Sequence, residues 1–163
     1  LIDGLVLLSP GLVPKVAPPF ASRMRIAIAR VFRPGKPFPI PLNEPDLFTG
    51  SRDWQKYIEE EPQGLRQAAA RFLFSSFSLD IYLKRASKRV KLPTLLVLGE
   101  HDRIIDNVAT RKYIGRFDTT TRIIDYHGAH HTLEFEDATH PWIGDVIDWI
   151  RISFLGDRRA SAP

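Results

Sequence analysis

Three short apolar runs, each closed by a glycine-containing turn, constrain the fold of this chain more than any other feature. They span residues 3–8, 94–98 and 121–126. Apolar runs of this length are typical of strands in a parallel sheet, where both faces of each strand are buried. Helical patterns follow the second and third runs, and strands that alternate with helices indicate an α/β fold. The sequence therefore predicts three strands of a parallel sheet.

A long helical insertion is predicted between the first and second strands. Nine of the thirteen prolines lie in residues 10–45, which favours loops there, with one helix near 21–31. Further helices are expected near 52–60 and 80–90. Between these two, helical spacing predicts a shared face formed by Leu65, Ala69, Phe72, Leu73 and Ser76. An insertion of this length is too long for a simple crossover and is typical of a cap or lid.

A helix is also expected after each of the last two strands. Asp106 can cap the first of these helices, whose apolar positions are Ala109, Tyr113, Ile114 and Phe117. The last helix is expected to begin at Pro141, and its apolar stripe consists of Ile143, Val146, Ile147, Ile150 and Phe154. The predicted organisation is a core strand in 1–12, a helical cap in 13–91, the rest of the α/β core in 92–156 and a flexible tail in 157–163.

The composition excludes several kinds of site and partner. The absence of cysteine rules out disulfides, a cysteine nucleophile and zinc–thiolate centres. Lys and Arg number 23 against 19 Asp and Glu, and this small excess forms no basic stripe interleaved with aromatic residues, so nucleic-acid binding is not expected. No apolar run approaches the roughly 20 residues of a membrane-spanning helix, so stable membrane insertion is not expected either.

Ionisable residues follow two of the predicted strands directly. Asp102 comes after the second strand, and His130 and His131 come after the third. Functional groups of open parallel sheets collect beyond the carboxyl ends of the strands, so Asp102 and His131 can meet if those strands are neighbours. A carboxylate that accepts a hydrogen bond from an imidazole Nδ1–H leaves Nε2 free to act as a general base. The alternative is that these are ordinary polar residues of turns.

Short motifs around these residues resemble those of the α/β hydrolases. Residues 99–102 read Gly-Glu-His-Asp and resemble the Gly-x-x-Asp acid turn of that superfamily. Residues 128–131 read Gly-Ala-His-His and resemble the Gly-Ala-x-His turn of its lysophospholipase and monoacylglycerol-lipase group. Residues 9–11 read Ser-Pro-Gly and resemble the beginning of that group's lid. The order acid, then histidine matches the last two members of the family's Ser–acid–His triad.

The resemblance implies a serine hydrolase that acts on ester bonds. Asp102 would orient His131, His131 would be the general base, and the helical cap would supply an apolar acyl site. The substrate would be a small acyl ester, with lysophospholipid or monoacylglycerol as the expected class. The resemblance implies no cofactor and no metal.

The choice between the two adjacent histidines rests on the motif alone. Alignment on Gly-Ala-x-His selects His131 as the base, whereas a looser Gly-x-His pattern would select His130. A metal site is a competing interpretation, because His127 and His131 are four residues apart and would share one face of a helix. Gly128 and the preceding strand argue against a helix there, so no metal ligand is predicted.

The chain departs from the family pattern at the nucleophile. Gly-x-Ser-x-Gly requires two glycines four residues apart, and no pair of the ten glycines has that spacing. In the family the nucleophile and the oxyanion hole precede the strand that opens this chain, so we expect these 163 residues alone not to hydrolyse esters. That opening strand is paired on both sides in the family. We therefore expect a polypeptide with these boundaries to self-associate through the edge of residues 3–8, or to carry the missing half as a separate piece.

Two other functions remain open from the sequence. Capped peptidases of the proline-iminopeptidase kind use the same parts, since a fold does not determine its substrate. The chain could instead be a non-catalytic interaction module on a degenerate hydrolase scaffold.

Overall fold

Strands and helices alternate along the chain in the order that the apolar runs predict. A computed structural model describes residues 2–155. In chain order the elements are β1 (Leu5–Leu8), α1 (Phe20–Phe32), β2 (Pro37–Pro39), α2 (Arg52–Glu60), β3 (Gln67–Ala69), α3 (Ala70–Ala86), β4 (Thr94–Gly99), α4 (Asn107–Ile114), β5 (Thr121–Tyr126) and α5 (Trp142–Ile150). Short 3-10 turns occupy Pro45–Leu47, Ser87–Arg89 and Leu133–Phe135, and a π-helical turn occupies Arg151–Leu155.

The three predicted core strands form a parallel sheet in the order β1-β4-β5. In register, Leu5 lies opposite Thr94, and Thr94 lies opposite Thr121. All six residues of β4 are buried, as expected of a central strand of apolar residues. The α/β fold class with a parallel sheet is confirmed, and the carboxyl ends of β4 and β5 meet at the same rim.

Both faces of the sheet are covered by apolar side chains. On one face, Leu96 and Leu98 pack with Ile105 and Ile114, and the cap contributes Leu47 to this cluster. On the other face, the buried residues are Leu95, Val97, Tyr126, Ala129, Leu133 and Trp149. The loop that carries the histidines therefore contributes to the core, which ties its position to the sheet.

The crossover from β4 to β5 begins at the predicted helix cap. Asp106 accepts a hydrogen bond from the Ala109 N–H at 2.9 Å, which satisfies a backbone donor at the start of α4. Tyr113 and Ile114 are buried in the core as the helical spacing predicts. The parallel strands β4 and β5 are thereby neighbours in space.

The cap contains the predicted helices together with a small sheet that the sequence pattern did not indicate. α1 and α2 match the helices expected near 21–31 and 52–60. β2 and β3 pair antiparallel, and the Arg66 carbonyl accepts from the Ile40 N–H while the Ala70 N–H donates to the Lys36 carbonyl.

The prediction of a helix face that starts at Leu65 is wrong for Leu65 and Ala69, which precede the helix. Backbone pairing with the proline-rich segment holds residues 67–69 extended, and the helix begins only at Ala70. It then continues to Ala86, so the separate helix expected near 80–90 is mostly the end of α3. Local spacing could not reveal the pairing partner, which lies about thirty positions earlier in the chain.

α5 packs through a different set of side chains from the predicted stripe. Val146 and Phe154 contact the core as expected, but Trp149 is the buried residue of the helix. Ile143, Ile147 and Ile150 are exposed instead. Trp142 packs in the same cluster as Trp149, and turning the tryptophans inward buries the larger apolar surface.

No helix in residues 2–155 is both long and apolar enough to cross a membrane. The predicted tail, residues 157–163, lies outside the described residues.

The free edge of β1 leads to a prediction about association. Within the described residues β1 pairs only with β4, and its sequence, Leu-Val-Leu-Leu, carries no charge. The opposite edge strand, β5, carries the exposed residues Arg122 and Asp125, which disfavour pairing with another chain. We expect the 163-residue chain to self-associate in sedimentation velocity experiments, and Leu5→Lys to shift it towards monomer.

The matched control is Ile123→Lys, which adds the same charge to an exposed apolar position of the other edge strand. This variant should associate like the unmodified chain. A monodisperse monomer of the unmodified chain would contradict the prediction.

Candidate active site

Backbone hydrogen bonds join the turn after β4 to the turn after β5. The His101 N–H donates to the Ala129 carbonyl at 2.8 Å, and the Glu100 N–H donates to the Tyr126 carbonyl at 3.0 Å. The Glu100 carboxylate also accepts from the Gly128 N–H at 3.0 Å. These bonds hold the two turns side by side without using the side chains of Asp102 or His131.

Glycine at position 99 permits the close approach of these turns. A Cβ at Gly99 would lie 2.2 Å from the His130 carbonyl oxygen and 2.7 Å from that of Ala129. Real Cβ atoms essentially never approach a backbone atom so closely, so any side chain here would push the turns apart. The glycine of the acid turn thus has a steric function in assembling the site.

Asp102 and His131 are hydrogen-bonded at this rim. The His131 Nδ1 lies 2.7 Å from Oδ2 of Asp102, at the lower end of the normal range for a charge-assisted hydrogen bond. Oδ1 of Asp102 accepts from the Ile104 and Ile105 N–H groups at 2.8 and 3.0 Å. The Asp102 side chain has no exposed surface, and that of His131 is 20% exposed. The buried carboxylate is therefore fixed by its own turn, and the imidazole retains access to solvent.

The electrostatics favour an ionised Asp102. Burial by itself would raise the pKa of this carboxyl group, because it removes water from the charged form. The hydrogen bonds from His131, Ile105 and Ile104 outweigh burial and hold the pKa below its usual value. An ionised Asp102 can orient His131 and stabilise its protonated form.

The other two histidines of this loop have different partners. His130 Nδ1 lies 3.1 Å from Oε1 of Glu136, and the same oxygen accepts from the His130 N–H at 2.7 Å. The His127 side chain is 93% exposed and contacts Glu100. His127 and His131 therefore do not converge, and within residues 2–155 no group of three or more acidic or histidine side chains could hold a metal ion.

Glu136 was not anticipated from the sequence. It follows His131 by five residues, after the 3-10 turn Leu133–Phe135, which brings its carboxylate back towards His130. The sequence does show a carboxylate shortly after the Gly-Ala-x-His turn, which could have suggested a partner for a histidine. Only the geometry of the turn shows which histidine it contacts.

The cap reaches the site through the segment between the 3-10 turn Pro45–Leu47 and α2. The Phe48 ring lies edge-on to the His131 ring, with centroids 6.2 Å apart, and the Phe48 carbonyl accepts from the Thr132 N–H at 3.0 Å. Trp54 on α2 stacks on Phe135 with centroids 4.4 Å apart. The cap is therefore in direct contact with the loop that carries His131.

Serines of the described residues do not form a nucleophile elbow with these groups. Ser75, Ser76 and Ser78 lie on α3, and their hydroxyls donate to carbonyls four residues earlier at 2.8–3.2 Å. Ser9 follows β1 with a φ of 37° and is 6% exposed, and its hydroxyl has no partner within residues 2–155. Pro10 and a loop follow it, whereas a nucleophile elbow passes directly from strand to helix.

A family model described as serine aminopeptidase, S33, matches residues 1–138 of the chain. The chain belongs to this α/β-hydrolase family. The match includes β1, the whole cap, the acid turn and the histidine turn, so the family assignment covers all the residues of the candidate site. No curated protein sequence matches the chain significantly.

Solved structures with the same fold include two lipases. The monoacylglycerol lipase of Paleococcus ferrophilus superposes with a TM-score of 0.81 at 22% identity, covering 93% of this chain and 60% of the lipase. A soluble variant of the Saccharomyces cerevisiae monoglyceride lipase, bound to a substrate analogue, gives 0.75 at 15% identity, with 93% and 54% covered. DcsB in complex with its substrate analogue gives 0.62 at 16%, with 93% and 58% covered. The chain thus spans between about half and three fifths of the length of these proteins.

The lowered pKa of Asp102 leads to a prediction about stability. A carboxyl group whose pKa is lower in the folded state stabilises that state above its unfolded pKa of about 4, and this contribution is lost as the pH falls through the folded pKa. Asp102→Asn should lower the free energy of unfolding by about 2 kcal/mol at neutral pH and weaken its decline in acid. Urea unfolding between pH 7 and pH 3 measures both effects.

Asp118→Asn serves as the control, because Asp118 is exposed on the loop after α4. This variant should retain the acid sensitivity of the unmodified chain. An Asp102→Asn protein with the same pH dependence as the unmodified chain would show that Asp102 is not held as an ion by its partners.

Proposed function

We propose that a protein containing this chain is a serine hydrolase of acyl esters, in which Asp102 and His131 are the acid and the base of the catalytic triad. The observation that carries the proposal is the 2.7 Å hydrogen bond between His131 Nδ1 and the fully buried Asp102 carboxylate. It is supported by the S33 family match and by a fold shared with two lipases of known structure.

The nucleophile in this proposal is a serine outside these 163 residues, since the sequence contains no Gly-x-Ser-x-Gly. His131 Nε2 would take the proton of that serine as its oxygen attacks the ester carbonyl, and would then protonate the leaving alcohol. Asp102 would keep the Nδ1 proton in place and stabilise the imidazolium during both steps. The hydrogen-bond donors that stabilise the oxyanion would, like the serine, lie outside these 163 residues.

A cavity in the cap is the basis for proposing a substrate with an apolar acyl group. This cavity of about 320 Å³ lies between the start of the cap and α3. Its lining combines apolar side chains with three charged ones: Leu12, Val13, Pro14, Ala17, Phe77, Ile81, Arg23, Asp80 and Lys84. Its wall lies against the start of α4, because the Val13 carbonyl accepts from the Asp106 N–H at 2.9 Å. Monoacylglycerols and lysophospholipids, each with one acyl chain, are the proposed substrates.

A first test uses the chain as it stands. With a fluorophosphonate probe, which labels activated serines, we expect no labelling of the 163-residue chain and no hydrolysis of p-nitrophenyl esters. The reason is that no serine of the sequence lies in a nucleophile elbow. Labelling of Ser9 or any other serine would overturn the proposed location of the nucleophile.

A second test uses a protein in which this chain follows a Gly-x-Ser-x-Gly segment. His131→Ala should lower kcat for p-nitrophenyl esters by about 10⁴-fold or more, because the general base is lost. His127→Ala is the matched control: it removes an exposed histidine of the same loop and should leave kcat unchanged. If His131→Ala remained as active as His127→Ala, the proposed base would be wrong.

A peptidase is the second candidate, because the matching family model is described as serine aminopeptidase. Aminoacyl p-nitroanilides compared with monoacylglycerols on the same protein decide between the two. Faster turnover of esters favours the lipase proposal, and faster turnover of aminoacyl substrates favours the peptidase. Turnover of neither, with an intact fold, would indicate the non-catalytic interaction module.

A further inference from the structure

We infer that His130 is a positioning residue through which the cap holds the proposed base, His131. This inference rests on the proposed function, because it assigns a purpose to the residue next to the base. His130 is only partly exposed, and its ring contacts both the Glu136 carboxylate and the Gly50 backbone of the cap. Sequence motifs leave this position variable, whereas its contacts here are specific.

Glu136 fixes both the backbone and the ring of His130. A single oxygen, Oε1, lies 2.7 Å from the His130 backbone nitrogen and 3.1 Å from its Nδ1. The side chains of His130 and Glu136 are 25% and 19% exposed, so this pair is partly shielded from water. This bond restrains the Ala129–His130 peptide, which directly precedes the peptide that carries His131.

The cap also contacts the His130 ring. A Cβ at Gly50 would lie 2.5 Å from Cε1 and 2.7 Å from Nε2 of His130, so the Gly50 backbone rests directly against the imidazole. Gly50 is not among the residues with positive φ. Space, and not backbone conformation, therefore requires glycine at this position.

The same cap segment also holds the residue on the other side of the base. The Phe48 carbonyl accepts from the Thr132 N–H at 3.0 Å, and the Phe48 ring is edge-on to His131. Both neighbours of His131 are thus restrained by residues 48–50. A displaced cap would free Thr132 and leave the His130 ring to Glu136 without the Gly50 contact, and the hydrogen bond of His131 to Asp102 would loosen. The position of the cap therefore controls the order of the base.

The test follows the His131 Nδ1 proton by NMR, in the 163-residue chain. A proton shared with a buried carboxylate gives a separate low-field resonance, and its exchange with water reports how well the hydrogen bond is held. Gly50→Ala should displace the His130 ring and accelerate this exchange by about tenfold or more. Gly35→Ala is the matched control in the cap, since a Cβ there meets nothing within 4 Å. It should leave the resonance unchanged.

A second pair of variants tests the carboxylate and does not alter the cap. Glu136→Ala removes the acceptor and should also accelerate the exchange, whereas Glu136→Gln retains an acceptor oxygen and should restore most of the protection. Glu134→Ala removes an exposed glutamate of the same turn and should have no effect. Rescue by glutamine separates a positioning role from a general loss of stability, which thermal unfolding of each variant measures independently.

The outcomes separate this inference from the proposed function. An unmodified chain with no low-field resonance would show that His131 and Asp102 do not pair in solution, which overturns the proposed function and this inference with it. A resonance that is present but unaffected by Gly50→Ala and Glu136→Ala would overturn the role of His130 alone. Should Gly50→Ala fail to fold, the two Glu136 variants decide the question by the same criterion.

Discussion

The candidate site depends on one buried carboxylate that must remain ionised. Leaving an unpaired charge in a site without solvent costs on the order of several kcal/mol, so Asp102 is stable there only if its oxygens are fully used. Two donors, the N–H groups of Ile104 and Ile105, come from its own turn. The acid is therefore held in place by local structure, and His131 completes its coordination at 2.7 Å. Because the partners of Oδ1 come from the same turn, the partner of Oδ2 can come from a loop that is distant in the sequence.

Close backbone approach brings that distant loop to the acid. Gly99 lets the acid turn lie against the histidine turn, and Gly50 lets the cap lie against the ring of His130. Side chains at either position would separate surfaces that must touch. The site is thus assembled from three segments, the acid turn, the histidine turn and the cap, and two of their close contacts are made at glycines.

Much of the core and of the site could be predicted from the sequence. The three parallel strands follow from apolar runs, because burial on both faces leaves a continuous signal. Asp102 and His131 follow from their positions after neighbouring strands, and the structure brings both to one rim. The cap sheet could not be predicted, since its pairing depends on residues far apart in the chain. The inward face of α5 was predicted incorrectly, because both its tryptophans and its isoleucines are apolar and the sequence does not show which of them face the core.

The sequence by itself determined the core strands, the helices that follow them and the ionisable groups at the strand ends. Hydrophobic periodicity, glycine and proline affect the backbone over a few residues. Strands, helix caps and short motifs can therefore be recognised from the local sequence. Only the tertiary structure decided which carboxylate each histidine contacts: Asp102 for His131, Glu136 for His130 and Glu100 for His127. Adjacent residues of a loop point in different directions, and their partners depend on how three separate segments pack. Packing is a property of the whole fold, and no local pattern specifies it.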